Sequence, residues 1–153
     1  MTAPNFHVIN AIAPIANWAG TTFDTDVVDA GVGDGVLFLV IQGVNAGGVS
    51  TVTVEASDDT DANNVTTVPF VYRTCVATDV WGAWTEATTA GFSSSAILNS
   101  MHQIYVDGSE LAEAGYRYVR LSGDETAANA VIGCVAAIIV NPRFGPTTLT
   151  ALD

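Results

Sequence analysis

The residues whose types and spacing most invite a chemical reading are Asp59-Thr60-Asp61-Ala62-Asn63, where alternate oxygen-bearing side chains open as a calcium loop does. The pattern then fails. Asn64 stands where the turn glycine belongs and Phe70 where the bidentate glutamate belongs, so too few oxygens remain for the ion. A solvated turn rich in Asx side chains accounts for the same residues, and no metal is expected there. Gly31-Val32-Gly33-Asp34-Gly35 has the glycine density of a phosphate loop, but it precedes a strand-like run and no lysine follows. His7 and His102 have no second histidine or cysteine at metal-ligand spacing. Ser93-Ser94-Ser95 lacks the strand–turn–helix setting of a nucleophile elbow. The sixteen carboxylates leave paired-carboxylate glycoside chemistry open without pointing to any pair. These patterns predict no catalytic residue and no cofactor, hence a non-enzymatic protein. Trp81 and Trp84 remain, and two indoles so close in sequence suit a sugar-stacking platform, an interface anchor or partial burial.

Composition narrows the partners. The chain has 153 residues, enough for one domain with a sizeable core. Its formal net charge is −12, from 16 carboxylates against four arginines, with no lysine at all. Nucleic acid needs clustered basic residues to neutralise phosphate, and an anionic membrane surface needs the same, so neither is an expected partner. No stretch reads as a signal peptide or a membrane span: residues 1–20 lack a basic start and carry Pro4 and Pro14, and the apolar runs 36–41 and 135–140 are too short. Cys75 and Cys134 sit in apolar, strand-like runs and read as buried free thiols, with a disulfide as the alternative.

The elements that position these residues are strands. Residues 1–20 are apolar but broken by proline, which suits an extended arm or an edge strand. Residues 36–41 (VLFLVI) form a strand-length run apolar on both faces, and residues 131–140 (VIGCVAAIIV) form another. Residues 49–56 alternate, with Val52, Val54 and Ala56 inward and Thr51, Thr53 and Glu55 outward. Residues 57–64 (SDDTDANN) make a polar loop, 68–76 a strand, and 81–95 a long irregular connection. A short strand at 104–106 turns at Asp107-Gly108 into one helical turn, capped by Ser109 and ended by Gly115.

The strand that follows, GYRYVRLS at 115–122, holds two of the four arginines. Val119 and Leu121 fall on one face, and Tyr118, Arg120 and Ser122 on the other. Outward-facing Arg120 is expected to pair with outward-facing Glu55. Gly123-Asp124 reads as the next turn. Seven or eight short strands with closely spaced turns predict an all-β fold, an antiparallel β-sandwich or jelly roll at 21–140. Residues 1–20 and 141–153 are then N- and C-terminal arms, ordered by contact with a neighbour. A strand apolar on both faces needs its outer face covered. In a chain so poor in charge, another subunit is the expected cover.

Two stretches carry a resemblance. Val52-Thr53-Val54-Glu55-Ala56-Ser57-Asp58-Asp59, then Tyr116-Arg117-Tyr118-Val119-Arg120-Leu121, with the apolar run 135–140 and Asn141-Pro142-Arg143 behind them, resemble a pattern of tailed-bacteriophage virion proteins. The likeness covers roughly residues 35–143. It implies a capsid decoration (cement) protein on the head exterior, made in the host cytoplasm. Its implied partners are the major capsid protein and other copies of itself, as a trimer. The same two motifs are also similar to discoidin-type jelly rolls, which implies the alternative of a carbohydrate-binding module on a virion or cell surface. The candidate interface residues are Glu55, Trp81, Trp84, Tyr118, Arg120 and Arg143.

Overall fold

The computed structural model describes residues 6–15, 17–18, 22–94 and 99–143. Along the chain they form β1 (His7–Ile15), β2 (Phe23–Asp24), β3 (Val28–Asp29), a 3-10 turn (Ala30–Val32), β4 (Gly35–Asn45), β5 (Val49–Ser57), β6 (Thr66–Val68) and β7 (Phe70–Ala77). Then come β8 (Val80–Trp81), β9 (Thr85–Ala87), β10 (Phe92–Ser93), β11 (Met101–Asp107), the helix α1 (Gly108–Glu113), β12 (Tyr118–Ala127) and β13 (Val131–Val140). Two antiparallel sheets face each other as a β-sandwich. The first runs β1-β13-β4-β11-β7-β8, with β9 also on β7. The second runs β10-β5-β12-β2, with β3 on β12 and β6 on β5.

Period-2 burial makes the sandwich. On β4, Val36, Phe38 and Val40 are buried, and across the pairing Val106, Ile104 and His102 of β11 point the same way. From the second sheet Val52, Val54 and Ala56 of β5 meet them together with Val119 and Leu121 of β12. The alternation read from residues 49–56 and 115–122 is therefore the alternation of the fold. Cys75 and Cys134 are free. Three strand steps separate them, through Met101 and Ile41. That is about 14 Å, beyond the reach of a disulfide. Cys75 is buried as expected, while Cys134 is only half-buried.

Several expectations are corrected. The connection at 81–95 contains β8, β9 and β10. Pieces of two or three residues have no period to read, and they bring the count to thirteen strands among the described residues. Gly123-Asp124 is not a turn but the middle of β12, which pairs with β5 from Tyr118 to Ala127. Glycine sits there because the ring of Phe23 crosses the strand: a Cβ on Gly123 would lie 2.1 Å from it. The cap of α1 is Asp107 instead of Ser109, its Oδ1 accepting from the amides of Ser109 and Glu110 at 2.8 and 3.4 Å. A hydroxyl bond from Ser109, and then that first amide bond, hold the Asp107 carboxyl below its usual range. Gly115, at φ +86°, ends the helical segment as anticipated.

The N-terminal stretch also departs from the arm reading. His7–Ile15 pairs with β13 as an edge strand of the first sheet. Trp18 is 1% exposed, its amide donating to Val131 O at 3.0 Å. The described residues of this stretch are thus packed against the chain's own sheet and core. The C-terminal arm of residues 141–153 falls mostly outside the described residues. Arg143 is tied back through its amide to Val32 O at 2.8 Å.

Candidate functional site: an uncharged sheet face and an arginine between two indoles

The outer faces of the two sheets differ in chemistry. On the second sheet the outward residues include Thr51, Thr53 and Glu55 of β5, Tyr118, Arg120 and Ser122 of β12, and Asp24 of β2, a polar surface. Glu55 and Arg120 stand directly opposite each other, and Arg120 Nε donates to Glu55 Oε2 at 2.8 Å. Arg120 Nη1 also lies 3.4 Å from Asp24 Oδ2. The pairing read from the sequence is thus present within one chain, and half-buried. A double-mutant cycle of Glu55→Ala and Arg120→Ala, followed by urea unfolding, should give a coupling of about 1–2 kcal/mol that shrinks with salt. Coupling indistinguishable from zero would mean that solvent screens the pair completely.

The outer face of the first sheet is different. From β1 and β13 it presents Val8, Asn10, Ile132, Cys134, Ala136 and Ile138. From β4 come Leu37, Leu39 and Ile41, and from β11 Met101, Gln103 and Tyr105. None of these carries a charge at neutral pH; the acids of this face stand at its margin, Asp107 at the end of β11 and Glu86 of β9 opposite Val71. No described element of the chain lies over them: the only described α-helix sits at one end of the sandwich, against the 3-10 turn and the ends of β4 and β11. Val8 is 51% exposed, Ile132 46% and Ile41 38%. Burial and the neighbouring Asp107 carboxylate push the Tyr105 hydroxyl's pKa upward, so it stays neutral. The expectation that runs 36–41 and 131–140 are apolar on both faces therefore becomes a geometric fact. Their inner faces enter the core and their outer faces are open.

Sequence reasoning missed Arg73. It lies on β7, on this same outer face, across from Gln103. Its Nε donates to Gln103 Oε1 at 2.7 Å. Its guanidinium carbon lies 4.8 Å from the Trp81 ring centroid and 4.7 Å from that of Trp84. β7, β8 and the turn at Gly82, whose amide donates to Thr74 O, bring the three together. The sequence held a hint: an arginine in an otherwise uncharged strand, eight and eleven residues before two tryptophans. Each indole turns one face to the guanidinium, so the pair is not a flat platform for a sugar.

The six candidate interface residues fall in three places. Glu55, Tyr118 and Arg120 lie on the second sheet, and Trp81 and Trp84 at the β7–β8 edge of the first. Arg143 lies beside Tyr116 and Arg117 in a groove of about 520 Å³ at one end of the sandwich. Arg117 is fixed there by Asp29, at 2.9 and 2.7 Å, and this bond raises its pKa further. In the polar loop, Asp59 Oδ1 accepts from the Asp61 amide and the Ser57 hydroxyl, a local Asx turn.

No family model matches the chain, and no curated protein matches it in sequence. Among solved structures it is similar to the SPBc2 prophage-derived protein YomS, at 15% identity and a TM-score of 0.45. The match covers 91% of this chain and 96% of that one.

Proposed function

We propose that this chain is a structural protein of a tailed-phage virion, a decoration protein that self-associates and bridges capsid subunits on the head exterior. One observation carries the reading: a −12 chain whose strands β1, β13 and β4 lie side by side with uncharged outward side chains that no described element covers. With its continuation onto β11 and β7, five strands at about 4.8 Å spacing and about seven residues at about 3.4 Å rise, the surface measures roughly 600 Å². Two such surfaces bury about 1,200 Å², the lower bound of a stable interface, and one alone is at the upper end of what a monomer leaves exposed. The resemblance of the two strand motifs to virion proteins supplies the setting. For the carbohydrate-binding alternative, Arg73 takes up one face of each tryptophan and reduces the surface left for stacking a sugar.

The experiment has two arms. The purified chain should sediment as an oligomer at micromolar concentration, most simply a trimer, and Leu39→Glu at the centre of the face should leave a folded monomer. Antibody to the chain should label the head exterior of virions that contain it. A wild-type monomer at tens of micromolar would remove self-association, and label confined to tails would remove the capsid assignment.

A further inference from the structure

We infer that Arg73, packed against Trp81 and Trp84, takes up a carboxylate from a neighbouring copy of this chain. The inference rests on the self-association proposed above and names its charge contact. Two of the chain's arginines already have carboxylate partners: Arg117 with Asp29, and Arg120 with Glu55 and Asp24. Arg73 has none among the described residues. Its Nε is taken by Gln103, while Nη1 and Nη2 have no partner there. Both indoles pack against the guanidinium, whose Nη1 and Nη2 are left with N–H groups to donate. A carboxylate, bound by two parallel hydrogen bonds, matches them well. Arginine and tryptophan together are also the commonest anchors of protein interfaces.

The chain itself supplies the complement, with sixteen carboxylates against four arginines. Glu86 of β9, opposite Val71, stands on the same outer face as Arg73, so a copy meeting this face can supply the anion without which desolvating the cation is costly.

The test is sedimentation equilibrium of the full chain at low and high salt, with Arg73→Gln, Arg73→Lys and Trp84→Ala, each checked for fold by circular dichroism and melting. Association should weaken about thirtyfold in Arg73→Gln, and about tenfold in Arg73→Lys, which keeps charge but loses the fork. Salt should weaken the wild-type association and leave that of Arg73→Gln nearly unchanged. Trp84→Ala, at a half-exposed position, should follow the same direction if Arg73→Gln fails to fold. Arg73→Gln assembling as tightly as wild type would overturn this inference alone. A wild-type monomer would overturn it together with the self-association reading. Quenching of tryptophan fluorescence by glucuronate in wild type but not in Arg73→Gln would overturn it in favour of an acidic sugar.

Discussion

Trp18→Ala should destabilise the isolated chain by about 3–5 kcal/mol, a large share of the 5–15 kcal/mol that holds a domain of this size together. Trp18 is among the largest fully buried side chains, at 1% exposure. Its ring packs against Phe23 with centroids 4.8 Å apart, and it lies over Gly133, where a Cβ would come within 2.5 Å of the indole. The neighbouring backbone is tied in as well, by the Trp18 amide on Val131 O and by Asn17 Oδ1 accepting from the Val131 amide at 3.1 Å. Removing the indole empties a space between β13 and Phe23 that Gly133 cannot fill. Gly133→Val should give a loss of similar sign by forcing the ring out. Equilibrium urea unfolding measures both. The half-exposed Trp84 is the control, and its replacement by alanine should cost the isolated chain less than about 1 kcal/mol. A Trp18→Ala loss under about 1 kcal/mol would restore the picture of an N-terminal arm that acquires order only on a partner.

That picture arose because the first twenty residues show no period. Pro4, Pro14 and small apolar residues hide an edge strand that needs hydrogen bonds on one side only, here to β13. The strands whose alternation is regular were legible: inward Val52, Val54 and Ala56, and inward Val119 and Leu121. So was the Glu55–Arg120 pair, because two outward charges of opposite sign on regular strands leave few other choices. What stayed hidden depends on distant residues. Gly123 looks like a turn until Phe23, a hundred positions earlier, lies across it. Arg73 looks like a lone charge until β8 folds back on β7 and brings two indoles against its guanidinium. The uncharged outer face was visible as two doubly apolar runs. That β13 and β4 lie side by side, merging the runs into one surface, is topology and not composition.

The second large effect is acid destabilisation through His102. This histidine points into the sandwich from β11, is 1% exposed, and lies with its ring centroid 5.4 Å from that of Phe92. Nδ1 lies 2.9 Å from the Thr74 hydroxyl, while Nε2 is buried with no hydrogen-bond partner among the described residues. Burial disfavours the imidazolium and lowers the pKa from 6.5 to about 4. In the unfolded chain the ring returns to about 6.5, so between these values the unfolded state binds the extra proton. Stability therefore falls as pH drops through that window, by up to 1.36 kcal/mol per unit, and this group adds no further loss below about pH 4. The whole window amounts to about 3 kcal/mol. Carboxylates titrate nearby, so the readout is a difference between two proteins. His102→Gln keeps a polar side chain beside Thr74 and has no proton to gain. Urea midpoints measured from pH 7 to pH 4 should fall more steeply for wild type than for His102→Gln, with most of the excess between pH 6.5 and 4.5. Parallel curves would mean that the imidazolium finds an acceptor inside the sandwich.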